Sequence, residues 1–388
     1  MKVNTIYGLG ILLSSSLETY NYMLFPFVQG LIMPSFYHGE NNIGFLILLL
    51  AALFRPLGSL FFGYIGDTYS RKTALLLSMS LMAFACLIIV FSPKHKTIGN
   101  YAIISLIIAR ILQVISISGE HAGVAISLIE SWKSSSTDVF QKYGLASGLV
   151  YLFSMFGTFL VTFVECRINI FNWRYAYFLS FILVIFCFFL RSLPYVEEKY
   201  SSEVQENDSC FWRNFLACLL ISAAMSSLYY FNTVFIKSFF QFKQIGFAKE
   251  FSELYLFIYM FATLFFGFIS DFFKKLYLFI VIPGVFLFIN LSLTLWFCNP
   301  VLHCLNIVFL AMYAGPSHAY FFKLFSNKNR YKGVSIAYSL GTALIGSSTP
   351  YVAIYLMHNF VLIVLYLLFL ISLSLFGVCL SYRSLQNY

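Results

Sequence analysis

Apolar runs of roughly 20 residues, each long enough at about 1.5 Å per residue to cross some 30 Å of hydrocarbon, follow one another from end to end of this chain. About twelve can be traced, among them Ile6 to Ile32 as the first, Asn100 to Glu120 as the fourth and Arg174 to Leu190 as the sixth. In lipid, backbone N–H and C=O groups must be satisfied inside the protein, which leaves helices or a closed barrel, and the period-2 alternation of a barrel strand is absent. The sequence therefore predicts an all-α integral membrane protein of about twelve transmembrane helices. A composition of 60% hydrophobic and only 10% charged residues agrees, because a water-soluble globular domain does not reach that balance. The first run carries Glu18 and Asn21 near its middle and closes without a small-residue cleavage site, so it is expected to be a span and not a cleaved leader.

A formal net charge of +9 raises the question of nucleic acid, but the basic residues are dispersed over short loops without a stripe or an arm, and no nucleic-acid partner is expected. Their bias reports topology instead. The larger share lies in loops on the side of the N-terminus, which by the positive-inside rule places both termini in the cytoplasm. The 8 cysteines are scattered, with no Cys-x-x-Cys and no histidine at ligand spacing, so neither a disulfide framework nor a metal or other cofactor is expected. No loop gathers a nucleophile with its base, and the chain is not read as an enzyme.

The one long hydrophilic interruption, Pro194 to Arg213, falls near the midpoint. It suggests two six-helix bundles, 1–193 and 214–388, joined by a cytoplasmic linker at 194–213. An internal repeat supports duplication: Gly63-Tyr-Ile-Gly66-Asp67 is echoed by Gly267-Phe-Ile-Ser-Asp271 about half a chain later. Each is followed by a basic pair, Arg71 and Lys72 in one half, Lys274 and Lys275 in the other. Small residues let helix ends approach closely, and an acid followed by bases can exchange ion pairs across a moving interface, so the loops are read as gating elements.

Ionisable residues inside spans are costly and so mark function. Helix rise places Glu18, Arg55 and Arg110 about 15 to 18 Å deep, near the midplane. Glu18 is the expected proton carrier; Arg55 and Arg110 are expected to bind a carboxylate, either that of Glu18 or one on a solute. Asn21 and Tyr22 share the helical face of Glu18, and Gln113 shares that of Arg110. Glu120, seven residues beyond Gln113 and near the cytoplasmic end of its predicted span, is a second candidate for protonation or for an inner gate.

On these residues a resemblance can be stated. Arg55-Pro-Leu-Gly-Ser-Leu-Phe-Phe-Gly-Tyr-Ile-Gly-Asp67-Thr-Tyr-Ser-Arg71-Lys72 resembles the inner-loop signature of the major facilitator superfamily. More narrowly, Ser16-Leu-Glu18-Thr-Tyr20-Asn21-Tyr22 is similar to the first-helix Glu-Trp-Tyr-Asp-Phe segment of the metabolite:proton symporter group, which includes proline/betaine, shikimate, citrate and α-ketoglutarate carriers. Arg110-Ile-Leu-Gln113 with Ser118-Gly119-Glu120 resembles its fourth-helix motif. Arg330 and Gly333, then Gly341, and Gly346 through Pro350, resemble its tenth-to-eleventh-helix region. The resemblance implies two pseudo-symmetric bundles of the major facilitator fold and alternating access, with proton-coupled movement of a small organic acid or zwitterion. The expected partners are that solute, protons and the bilayer, with a monomer as the expected state. Asn21 stands where the group has an acid, Thr68 and Ser70 where it has Arg and Gly, and Lys323 where it has Glu. Those departures bear on coupling and gating, and leave a non-transporting sensor or partner-binding paralogue as the other reading.

Overall fold

The computed structural model describes residues 2–37, 43–135, 142–165, 167, 172–192, 210–244, 249–273 and 275–385. Among the described residues there is no strand, and ten helices are long and apolar enough to cross a membrane. The first helix and an interrupted eleventh stretch, Arg330–Gly341 with Thr349–Leu356, supply the further two runs read from the sequence. The chain divides into two compact units, one of Met1–Ser135 with Phe153–Glu198 and one of Ser136–Leu152 with Lys199–Tyr388.

The first unit contains α1 (Lys2–Phe36), α2 (Ile43–Ala52), α3 (Arg55–Thr68), α4 (Arg71–Phe91), the short α5 (His95–Ile98) and α6 (Ala102–Ser135), then most of α7 (Tyr143–Glu165) and α8 (Trp173–Ser192). The sequence explains where helices break. Pro56 has no N–H to offer the preceding turn, so α2 ends in tightened bonds from Leu53 to Leu50 and from Phe54 to Ala51, and α3 starts afresh. α6 is the main correction to the predicted spans: it continues through Glu120 to Ser135, so that acid sits in mid-helix and is buried, not near a helix end. Gly119-Glu-His121 is a polar stretch inside a helix, which hydropathy alone mistakes for its end.

Packing inverts the pattern of a soluble protein. On α3, Leu57, Phe61 and Tyr64 are exposed, whereas Gly58, Ser59, Phe62 and Gly66 are buried. Small residues admit close helix approach where lipid supplies no hydrophobic drive between helices. A Cβ on Gly58 would stand 2.5 Å from the Ile115 carbonyl oxygen of α6. Gly58→Val is therefore expected to force α3 and α6 apart, at a cost of about 1–3 kcal/mol, seen as a lower melting temperature of the purified protein.

The second unit holds the start of α7, then α9 (Phe211–Tyr230), α10 (Ile236–Phe242), α11 (Lys249–Ser270), α12 (Leu278–Phe297), α13 (Pro300–Ala314), α14 (Ser317–Leu324), α15 (Arg330–Gly341), α16 (Thr349–Leu356) and α17 (Phe360–Leu385). Most of the expected linker, residues 194–209, lies outside the described residues; Phe211 to Arg213 already belong to α9. Two π-turns, Phe231–Phe235 and Thr342–Gly346, widen the helical path within the second unit. The second precedes Ser348 and Pro350, where α16 starts.

Candidate functional site

Four helices of the first unit, α1, α4, α6 and α8, enclose a polar core. From α6, Glu120 receives both terminal nitrogens of Arg191 on α8: Nη1 donates to Oε2 at 3.0 Å and Nη2 donates to Oε1. Arg191 also donates from Nη1 to the Leu75 carbonyl of α4 at 2.9 Å and from Nε to Ser14 Oγ of α1. Beside this fork lies the second carboxylate, Glu18 of α1. Ser78 Oγ on α4 is 3.1 Å from Glu120 Oε2, 3.5 Å from Glu18 Oε1 and 2.9 Å from the Leu75 carbonyl, so one hydroxyl hydrogen faces three acceptors. Glu18 Oε2 has no hydrogen-bond partner among the described residues. Glu18, Glu120 and Arg191 are at most 1% exposed, so two acids and one guanidinium share a site closed to water.

Arg110 occupies different surroundings. Its Nη1 donates to Gln113 Oε1 at 2.6 Å and to the Tyr22 carbonyl at 3.2 Å, and its guanidinium carbon lies 4.7 Å from the Phe25 ring centre and 5.3 Å from that of Tyr22. It is fully buried, yet Nε and Nη2 have no partner among the described residues, nor does Gln113 Nε2. The free pair Nε and Nη2 forms one edge of the guanidinium plane, the edge that grips a carboxylate side-on. Of the two anions the sequence offers Arg110, the ion pairs among the described residues do not include one with Glu18. Asn21, in the position of the group's acid, spends its amide on the Leu17 carbonyl at 3.0 Å and accepts from Cys86 Sγ at 3.4 Å. Arg55 is half-buried at the start of α3, near enough to His121 of α6 to act on it electrostatically, with no partner for Nε among the described residues. The structure thus joins Glu18 to Glu120, and keeps Arg55 and Arg110 in separate environments.

The repeated loops are used differently. In the first unit Arg71 pairs with Asp67, donates to the Gly66 carbonyl at 2.6 Å and reaches Glu130 of α6 at 3.4 Å, while Lys72 donates to the Ser192 carbonyl at 2.8 Å. In the second unit Asp271 accepts the backbone N–H groups of Gly144 and Leu145 at 2.6 and 2.8 Å, an anion at a helix N-terminus. Gly267 permits that approach, since a Cβ there would stand 2.5 Å from the Gly144 carbonyl oxygen. Lys275 is exposed, and Lys274 lies outside the described residues. Arg330 ties its own loop, donating to the Phe322 and Phe325 carbonyls at 3.1 and 3.2 Å, with its guanidinium over the Phe322 ring. Gly333, Gly341 and Gly346 are contact points, against Phe325, against Leu219 with Ser222, and against Ser226.

Arg191 and Ser78 are the residues that sequence reading missed. Arg191 closes an apolar run just ahead of Ser-Leu-Pro and so reads as a cytoplasmic loop charge, but α8 runs on to Ser192 and buries it. The signal that could have found it was charge balance: two acids within spans of the first half demand a base facing them.

Helices of this length, an apolar exterior and a charged interior define a multi-pass membrane protein. The sequence profile of the Major Facilitator Superfamily matches residues 11–252, and the chain belongs to that family of secondary transporters. It is 24% identical over 388 residues, 91% of this chain and 81% of the relative, to a "Putative proline/betaine transporter" of Staphylococcus aureus (strain COL). It is 24% identical over 375 residues to a "Citrate-proton symporter" of Klebsiella pneumoniae, covering 87% of this chain and 82% of that one. The proton:xylose symporter XylE, bound to 6-bromo-6-deoxy-D-glucose, superposes with a TM-score of 0.73 at 13% identity over 98% of this chain and 96% of its own, a likeness of fold.

Proposed function

We propose that this transporter couples the movement of a small organic acid or zwitterion to protons, and that Glu18 and Glu120 hold the proton between them. The observation that carries this reading is the buried site of two carboxylates facing one guanidinium. Arg191 balances one negative charge; a second, with Glu18 Oε2 unpartnered, would stand uncompensated in a dry interior. A proton on the pair balances the site, and Ser78, bridging both acids, gives it a path from one to the other. Arg110 and Gln113 hold the solute carboxylate, as the free guanidinium edge invites. Relatives named for proline/betaine and for citrate support a solute that carries a carboxylate.

In this reading, bundles 1–193 and 214–388 flank the linker 194–213, and a monomer sits in a bacterial-type inner membrane with both termini cytoplasmic. The test is uptake of labelled proline, betaine, citrate and α-ketoglutarate into proteoliposomes. An inward proton gradient is expected to raise the initial rate several-fold, and Glu18→Gln to make the rate indifferent to the gradient. Equal uptake by the unaltered protein with and without the gradient overturns proton coupling.

A further inference from the structure

Both π-turns of the second unit are held by side chains and not by the backbone ladder alone. In the first, Asn232 donates its amide N–H to the Leu228 carbonyl at 2.8 Å, and Thr233 donates its hydroxyl to the Tyr229 carbonyl at 2.8 Å. Short polar side chains of this kind compete with backbone N–H groups for carbonyls, which lets a turn widen here without a proline or a glycine. In the second, Pro350 has no N–H for the Gly346 carbonyl, and a widened turn relieves that loss. Three hydroxyls in a row then cover the loosened carbonyls. Ser347 Oγ lies 3.0 and 2.8 Å from those of Thr342 and Ala343, Ser348 Oγ 3.1 and 3.0 Å from those of Leu344 and Ile345, and Thr349 Oγ1 3.0 Å from that of Ile345. Exchanging such side-chain bonds for backbone ones has a small net cost, so each turn has the ordinary α-turn as a second arrangement.

The two turns are neighbours. The second packs against α9, and α16, the half-helix beyond it, packs against the first. Ser226 of α9 and Thr342 of the second turn share a hydroxyl bond at 2.9 Å. The approach there is close: a Cβ on Gly341 would stand 2.6 Å from the Leu219 carbonyl oxygen, and one on Gly346 would stand 2.7 Å from Ser226 Cβ. Beyond the turns, α10 and α16 meet again at their far ends, where Phe242 lies edge-on to His358 with ring centres 5.6 Å apart. Among the described residues one polar bond ties these two half-helices to a helix outside the pair, that of Thr349 Oγ1 with the Tyr366 hydroxyl of α17 at 2.9 Å. At the pivot itself, Asn232 Oδ1 is buried and accepts nothing among the described residues, an unspent acceptor that a rotated turn would aim elsewhere.

We propose that α10 and α16 swing as one flap, hinged at the two π-turns and kept in step by the Ser226–Thr342 bond at the pivot and the Phe242–His358 contact at the tip. Passage of either turn into α-geometry rotates and tilts the half-helix beyond it, and the shared bond carries the change to its neighbour. The flap opens and closes the end of the second unit at which Phe242 and His358 lie. It needs neither the carboxylate pair nor the Arg110 fork of the first unit, and its test does not use transport.

The experiment is amide hydrogen exchange of the full-length protein purified in detergent, read residue by residue by mass spectrometry with electron-transfer fragmentation. Amides of α10 and α16 are expected to exchange at least roughly 10-fold faster than those of α9 and α15, with the step at the π-turns. Thr342→Val keeps the branched side chain and removes the hydroxyl. Exchange is then expected to rise roughly 5-fold in α10 as well as in α16, although Thr342 lies on the helical path of α16 alone. Ser226→Ala should give the same rise, and the double variant no more than either single one, since both break the same bond. A smooth fall of the rate inward from Phe242 and Leu356, with no step at the turns, would show fraying ends and overturn the hinge. A rise confined to α16 in the Thr342→Val protein would show two independent turns and overturn the coupling. The first comparison needs only the unaltered protein, so a variant that fails to fold leaves the proposal open to refutation.

Discussion

An Arg191→Met protein is expected to be the least stable single variant of this transporter. Arg191 is 1% exposed, and its donors are committed to Glu120, Leu75 and Ser14. Methionine fills a similar stem volume but leaves Glu120 as a buried, uncompensated charge next to Glu18. Breaking a buried pair by removing one partner costs about 3–5 kcal/mol, most of it the penalty of the stranded ion. The measurement is thermal melting in detergent, where a large fall is expected. Adding Glu120→Gln to the same chain removes the stranded charge and should restore most of the loss, because an apolar or neutral replacement of both partners is close to neutral. Gradient-driven uptake should not return in the double variant, since the proton-sharing pair is gone. Equal instability of the single and double variants would mean that α1, α4, α6 and α8 are held by packing alone, and the charge argument would fail.

The sequence made much of this architecture legible because lipid is an unforgiving solvent. Backbone satisfaction forces helices, hydropathy marks their lengths, and the echo of Asp67 by Asp271 shows the duplication. It was less informative where polar residues are tolerated inside. Gly119-Glu-His121 looks like the end of a span, although α6 continues for several turns, because α1, α4 and α8 supply the partners that lipid would deny. Likewise Arg191 looks like an interfacial base. Hydropathy measures each segment against lipid, whereas these two residues face each other. Glu18 and Arg110 were identifiable as buried charges, but their pairing was not: helix rise gives depth along an axis and says nothing of rotation about it. That rotation turns Glu18 towards Ser78 and Glu120, and Arg110 towards Tyr22, Phe25 and Gln113. The two loops that match in sequence differ in bonding for a local reason. Asp67 has Arg71 four residues on and uses it, whereas Asp271 takes the backbone N–H groups at the start of α7.

Arg110→Lys is expected to lower solute uptake roughly 10-fold at about ten times the KM of the unaltered carrier, although the charge is kept. Lysine brings a point charge on a flexible stem in place of a planar fork, and it cannot present two parallel donors to a carboxylate. The geometry here makes that difference large. Gln113 Oε1 and the Tyr22 carbonyl take Nη1 and fix the plane, so the Nε and Nη2 edge is presented ready-made, with no ordering left to be done on binding. Loss of a bidentate, desolvated contact is worth at least about 3 kcal/mol, or roughly 100-fold in the KM for a carboxylate solute. Gln113→Leu tests the orienting half of the argument: the fork remains but is free to turn, and KM should rise by roughly 10-fold with the maximal rate little changed. A small effect of Arg110→Lys would show that the site needs only a positive charge, as a static counter-ion would. A Gln113→Leu protein that lost rate and not affinity would place Gln113 in the conformational step, and the solute carboxylate would then have to be sought elsewhere.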